Sequence, residues 1–324
     1  LTVSTGISAA QIVKTSDSDA AEIIKRVPGI SLIENRFIIV RGLSQRYNNV
    51  SINNGAVPSS EADGRAFSFD IIPSSNIDNM MIIKSPTAEL PGDFSGGFIK
   101  ISTKNMPDEN SLSLSVGTGI NTVTHFKDFS LLQSSSTEWL GFDRCARPLS
   151  KDFPSHLGSM TDPSQITYYT KTGFNNDWNV KTFRPLPDLK LNLTWNRKIG
   201  DKVGTILTFG YSNANKTIPD MQNTRYGIYS ATADVPTIEK NYIDNQFTNE
   251  VKINAMNNWS FILDSRNRFE FRNLFSQIGK NRFTERYGTS TVSGEYYENQ
   301  TEMLYSSRLS YVGQLAGLHT LDED

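Results

Sequence analysis

The sequence predicts a mixed α/β domain over residues 1–107, followed over residues 108–324 by antiparallel strands of a transmembrane β-barrel. Three observations predict it. Near Met106-Pro107 a mixture of helical and strand patterns gives way to almost pure two-residue alternation. Six later segments each carry one apolar face and one charged or small polar face. The spacers between those segments are alternately long and short. Composition sets the outer limits. The longest apolar runs, Phe37-Ile38-Ile39-Val40 and Met80-Met81-Ile82-Ile83, fall far short of the roughly 18 residues of a membrane helix. Helical membrane proteins are excluded, whereas a barrel is not, because alternating strands average out polar. A net charge of −2 argues against nucleic acid as a partner. Cys145 is the only cysteine, so no internal disulfide can form. Leu1 opens directly into polar sequence, so no leader peptide is expected in these residues.

In the first part, Ser16 or Asp17 is suited to cap a helix running to Arg26, whose apolar face is Ile23, Ile24 and Val27. Pro28-Gly29 stops it. Residues 30–33 and 36–41 read as two strands around a turn at Glu34-Asn35, and residues 50–52 as a third strand before the turn signal Asn53-Asn54-Gly55. Ile71-Ile72-Pro73-Ser74 leads into a helical turn, and residues 79–84 and 98–103 complete the unit as strands.

In the second part, residues 111–116 alternate Ser with Leu and Val. The stripes Leu189-Leu191-Leu193-Trp195, Thr205-Leu207-Phe209-Tyr211, Val251-Ile253-Ala255, Phe269-Phe271 and Met303-Tyr305-Leu309-Tyr311 follow, with a further strand expected to open at His319. A soluble β-sandwich alternates in the same way. The connections favour a barrel. About 60 residues separate the first two strands, and a tight turn at residues 199–202 joins the next pair. A long loop through Tyr226 and Tyr242 is expected, then a short connection at 264–267, a medium loop at 288–295 and a short turn at 313–317. Bulky loops on one rim suit a surface that meets and encloses a ligand.

Residues 8–104 resemble the plug of TonB-dependent outer-membrane transporters. The resemblance rests on residues 19–30 (Asp19 through Val27-Pro28-Gly29-Ile30), Ile39-Val40-Arg41-Gly42-Leu43, Asn53-Asn54-Gly55, Ile72-Pro73-Ser74, Ile82-Ile83-Lys84-Ser85 and Gly96-Gly97-Phe98-Ile99, in that order. Phe126-Lys127-Asp128-Phe129 and Glu138-Trp139-Leu140-Gly141-Phe142-Asp143 resemble the start of the barrel in Bacteroidetes-type members. The resemblance implies a plug inside a barrel of about 22 strands, of which this sequence would carry the first six. No energy-coupling peptide is identifiable before Ser8. It also implies residence in the bacterial outer membrane, with short turns periplasmic and long loops extracellular. The function implied is energy-coupled import of a siderophore, haem, glycan or peptide too large or scarce for porins. The partners implied are TonB with its inner-membrane energising complex, membrane lipid, and a possible surface lipoprotein or other outer-membrane proteins. A non-transporting structural or accessory subunit is the competing reading, and a soluble carbohydrate-binding protein a third.

Among individual residues, Arg41 is expected to be buried at the end of a central strand and paired across the plug–barrel boundary. Glu250, Glu270 and Glu302 are the type of carboxylate available to it. Tyr47, Asn53 and Arg65 are the ligand-binding candidates of the plug's apical loops, because aromatic, amide and guanidinium groups suit sugars, peptides and metal chelates alike. No catalytic residues, metal site or cofactor are expected. His125, His156 and His319 are isolated from one another and from Cys145, and Asp17-Ser18-Asp19 lacks the Gly and distal Glu of a calcium loop. Gly117-Thr118-Gly119 is not followed by a helix, which removes the phosphate-cradle reading and leaves wall glycines lying close to the plug.

Overall fold

The computed structural model describes all residues except 1–3, 13, 16, 18, 34–35, 58, 60–64, 134, 144–146, 157, 159, 175–176, 293 and 322–324. The plug opens with β1 (Ser4–Ser8), α1 (Ala9–Ile12) and α2 (Ala20–Ile24), then β2 (Ile30–Ile33) and β3 (Phe37–Val40). It continues with β4 (Asn49–Ile52), β5 (Gly55–Ala56), β6 (Ile77–Ile83) and β7 (Phe98–Thr103). Five strands form one sheet in the order β1-β6-β7-β4-β5, and β2 pairs with β3 apart from it. The Asn53-Asn54 turn between β4 and β5 has both residues left-handed, at φ 51 and 63, as a type I′ hairpin requires. Ile23 and Ile24 of α2, with Ile72, Met80, Ile82 and Ile99, form its fully buried centre.

The helix start differs from the sequence expectation. Asp19 is the N-cap, its carboxylate accepting the Glu22 amide, and Ser16 lies outside the described residues. Asp17 instead receives two hydrogen bonds from Arg26, from Nε and Nη2, both at 2.7 Å. The bidentate guanidinium holds the Asp17 carboxyl below its ordinary range. The turn expected at Glu34-Asn35 also falls outside the described residues.

The wall follows as β8 (Ser111–Gly119), β9 (Phe129–Leu132), α3 (Pro163–Thr172), β10 (Val180–Phe183), β11 (Asp188–Ile199), β12 (Val203–Ser230), β13 (Val235–Ile262), β14 (Asn267–Ser290) and β15 (Tyr296–His319). Six strands pair antiparallel in the order β15-β14-β13-β12-β11-β8, and β9 pairs with β10. The tight turn after Ile199 and the short connection before Asn267 stand where the sequence places them.

Three expectations are corrected. The long loop through Tyr226 and Tyr242 is two strands: β12 and β13 are 28 residues each and run on to a hairpin at residues 231–234. The medium loop at 288–295 shrinks to residues 291–295 for the same reason. The short turn at 313–317 does not exist, since Gly313 pairs with Asn273 and Gly317 with Phe269 inside β15, which ends at His319. At about 3.3 Å per residue, a 28-residue strand is roughly 90 Å long. A tilted membrane crossing uses only about 9–11 residues. Pro219 sits in β12 at a register shift between Ile218 and Met221, where the ladder needs no N–H from it.

Register assigns the faces, because cross-strand partners point the same way. Lys252 lies level with Ser212 and Ile278, and Met256 with Thr208 and Leu274. These face the plug: Met256, Leu274 and Ile278 belong to the same apolar cluster as Ile72, Met80 and Ile99. The opposite face carries apolar rows, of which Leu114, Leu193, Phe209, Ala255, Phe275 and Tyr311 form one. Gly117 and Gly119 correct their reading in one respect. Their nearest neighbours are Lys190 and Asp188 on the adjoining strand β11, not the plug.

Candidate functional site

The plug meets the wall through three layers of chemistry. Nearest the short turns, amide and hydroxyl groups bind plug backbone. Asn258 Nδ2 donates to the Lys104 carbonyl at 3.0 Å, Ser260 Oγ to the Asn105 carbonyl at 3.1 Å, and Gln314 Nε2 to the Ile52 carbonyl at 2.8 Å. Next comes the apolar contact of Met256, Leu274 and Ile278. Beyond it lies an ion pair. Asp70 stands in a 3₁₀ turn, Phe69–Ile71, whose apolar residues are buried, so its carboxylate is carried to the plug surface facing the wall at 5% exposure. Lys252 Nζ of β13 donates to Asp70 Oδ2 and, at 3.0 Å, to Glu250 Oε1. Ser68 Oγ donates to the other Asp70 oxygen.

Around this pair is a cavity of about 690 Å³, bounded by the plug on one side and β11–β14 on the other. Acidic Asp19, Glu22 and Glu250 share its walls with Lys25, Arg36 and Lys280. Such a boundary resists small displacements, because each buried charge has a partner, yet presents no continuous apolar seal. On the plug side, Asp19 holds its proton unusually well. Burial pushes its pKa up to about 6, against the opposing amide hydrogen bond from Glu22.

A second polar cluster lies at the other end of β4. Asp93 accepts from Asn49 Nδ2 at 2.8 Å and from Arg65 Nη2 at 2.7 Å. Arg65 holds the Asp93 carboxyl below its ordinary range. Gln45, Asn49, Ser59 and Arg65 line a small cavity of about 40 Å³ here. Both charged partners are solvent-exposed, so their attraction is screened. The Arg65→Gln variant is therefore expected to unfold at the wild-type temperature in differential scanning calorimetry, leaving this group free for a role other than holding the plug together.

The candidates from the sequence separate in space. Tyr47 and Arg65 both belong to this end. The ring of Tyr47 is half-exposed beneath the Arg46 guanidinium, 4.8 Å from its centroid, and the Tyr47 carbonyl accepts the Ser95 and Gly96 amides. Asn53 does not belong with them. It stands at the opposite end of β4, and its amide is taken up by Thr103, accepting the backbone N–H at 2.8 Å and donating to Oγ1 at 2.9 Å. Arg41 is exposed at φ 53, and no ion pair involves it among the described residues. Glu250, Glu270 and Glu302 instead pair with wall cations, Lys252, Arg268 and Arg272, and Arg282. The left-handed turn after β3 swings the Arg41 side chain away from the plug interior. The plug–wall pair observed is thus Asp70 with Lys252, neither of which sequence reasoning singled out. The available signal was Lys252 on the polar face of an otherwise apolar-striped strand.

Among the described residues, no group of three or more His, Cys, Asp and Glu is arranged to hold a metal. His125, buried, accepts the Asn121 amide on Nδ1 at 2.7 Å, which leaves Nε2–H to donate to Asp188 at 3.1 Å. That makes it a structural clasp between the segment after β8 and the start of β11.

Residues 1–98 match the family model of the TonB-dependent Receptor Plug Domain. Three solved structures illustrate the likeness of the whole chain. A ferric enterobactin receptor mutant from Pseudomonas aeruginosa in complex with enterobactin is 10% identical, with 97% of this chain and 47% of that chain covered and a TM-score of 0.38. The siderophore receptor PirA from Acinetobacter baumannii is 10% identical over 94% and 44%, at a TM-score of 0.36. The ferric yersiniabactin uptake receptor from Yersinia pestis is 11% identical over 100% and 63%, at 0.32. The chain spans about half the length of the first of these receptors. No curated protein matches it in sequence.

Proposed function

We propose that this chain is the plug and first wall segment of an outer-membrane receptor that imports a ligand by energy coupling through TonB. One observation carries the reading. A plug domain packs against the polar inner face of a β-wall whose outer face is a set of apolar rows. A wall apolar on the outside and charged on the inside suits lipid on one side and a plugged lumen on the other. Ligand meets the Tyr47–Asn49–Arg65 end of the plug, while force arrives from the end nearer the short turns. Movement requires breaking the Asp70–Lys252 pair and the hydrogen bonds around Asn258, and the charged cavity beside them offers space along which the plug can shift. The plug alone also suits an accessory subunit that transports nothing.

The test is made in cells expressing the full receptor, with and without the inner-membrane energising complex. Accumulation of candidate siderophores, haem, glycans and peptides is compared with their binding to the cell surface. The expected result is lost accumulation with retained binding. Accumulation that persists without the energiser overturns active import. Stable co-purification with other outer-membrane proteins, with no ligand bound in either strain, supports the accessory subunit instead.

A further inference from the structure

The start of the segment after β8 lies on the outward face of the wall, packed against β13 and β14 by polar and aromatic contacts. Gln277 and Asn281 belong to the outward set, since Gln277 is level with Ile253 and Leu309, and Asn281 with Asn249 and Tyr305. Both are buried, at 1% and 2% exposure. Gln277 Nε2 donates to the Gly141 carbonyl and at 2.8 Å to Ser307 Oγ, and Asn281 Nδ2 donates to Glu138 at 3.2 Å. Phe129 of β9 stacks edge-on against Phe247, with ring centroids 5.5 Å apart. The seat is tight. A Cβ on Gly279 would stand 2.6 Å from the Gly141 Cα, and Gly141 itself adopts φ 78.

Below this seat the outward face changes character. From Phe261 to Ile253 of β13, the rows are chiefly apolar and open: Trp195, Phe209, Phe271, Leu309 and Leu315 are all exposed. That stretch of β13 is about nine residues, the length of one membrane crossing by a tilted strand. Immediately above it, the rows turn polar, with Asn213, Gly279 and Ser307 level with Val251. Trp139 marks the junction. Its carbonyl accepts the Tyr211 hydroxyl at 3.0 Å from the uppermost apolar row, and the residue is 60% exposed.

Building on the outer-membrane reading above, we propose that β9 and the Glu138–Phe142 turn form a collar on the outside of the wall. The collar covers Gln277 in the top row of the lipid belt and the polar rows just above it, and holds Trp139 in the headgroup layer. An indole is suited to that place, with an apolar ring for the acyl boundary and an N–H for the hydrated headgroups. The collar fixes how deep the wall sits. Without it, Gln277 stands bare at the upper edge of the belt, and Asn281 joins it beside the acyl chains if the protein sinks by two rows.

The test uses the full-length receptor in vesicles of phosphatidylethanolamine and phosphatidylglycerol, with Cys145 and any other cysteine replaced. Nitroxide is attached singly through Trp139→Cys, Phe209→Cys or Tyr229→Cys. Collision with oxygen against a water-soluble nickel chelate reads the depth of each. The expected order is Phe209 deep, Trp139 at the headgroup level and Tyr229 in water. Adding Gly279→Leu, which unseats Gly141, is expected to move the label at 139 into water while that at 209 stays deep. A label at 139 that reads as aqueous as 229, or as deep as 209, overturns the collar. A label at 209 that reads aqueous overturns the membrane reading and the collar with it.

Discussion

Replacing Lys252 with methionine is expected to destabilise the plug–wall unit by about 3 kcal/mol, the lower end of what breaking a buried ion pair costs. Asp70 is 5% exposed and would keep only the Ser68 hydroxyl of its two side-chain partners at this site. The lower end applies because the Lys252 side chain is 22% exposed and water can reach part of the vacated space. Methionine preserves most of the stem volume, so packing against the plug is retained. The double variant Asp70→Asn with Lys252→Met removes both charges and is expected to regain most of the loss. Thermal unfolding of the four proteins of this cycle in detergent isolates the pair from its surroundings. A single Lys252→Met variant as stable as wild type would place the hold on the plug elsewhere, in the Asn258–Lys104 and Gln314–Ile52 bonds. If the pair is what a pull must break, the single variant also leaks large antibiotics into cells that wild type excludes.

The wall was readable from sequence where one face is apolar and unreadable where neither face is. Leu191, Leu193 and Trp195 alternate with polar residues because one face carries apolar rows and the other meets the plug. Past Tyr211 and before Val251, the outward face of β12 and β13 loses its apolar stripe, as at Asn213 and at Asn215 level with Asn249. The two-residue period disappears there although the hydrogen-bonded ladder continues, so strand was read as loop. Glycine misled in two ways. Gly313 and Gly317 punctuate like a turn, yet they sit in β15 beside the rings of Tyr311 and Phe269. Gly279 drew no attention, although an isolated glycine inside a strand signals close backbone approach, here by Gly141.

The plug shows the same division. Its helix, hairpin and strand order follow from local signals, asparagines at left-handed φ and β-branched runs, although the helix is capped by Asp19 and not by the Ser16 or Asp17 expected. Its site does not, because the partners come from elsewhere in the chain. Asp93 joins Asn49 to Arg65 across 44 and 28 positions, and Asp70 reaches Lys252 across 182. Arg41 was expected to be buried at a strand end and so to need a carboxylate partner, but it is exposed, and the plug–wall pair is made by Lys252 of the wall with Asp70.

Asp19 carries the last large expected effect. With its native pKa near 6 against an ordinary 3.8, the folded plug holds a proton that the unfolded chain has already released between those values. Below pH 3.8 both states are protonated and this residue leaves stability untouched. As pH rises towards 6, the unfolded state ionises first and stability falls, reaching a plateau about 3 kcal/mol lower once the native carboxyl ionises. Asp17, held low by Arg26, acts in the opposite sense and loses its contribution only in more acid solution. Asp19→Asn separates them. Asparagine can still accept the Glu22 amide as an N-cap and carries no charge, so the variant should gain on wild type progressively from pH 4 to 6. The difference between their unfolding free energies, followed across that range, reads Asp19 alone. A difference independent of pH would mean that Asp19 ionises as freely in the folded plug as in water. The two sites are also coupled: Lys252 stabilises the Asp19 anion through space and Asp70 opposes it. Lys252→Met should therefore move the Asp19 transition to higher pH, and Asp70→Asn to lower. Acidification and the loss of one wall cation thus act on the same buried boundary, from the two sides of the cavity between plug and wall.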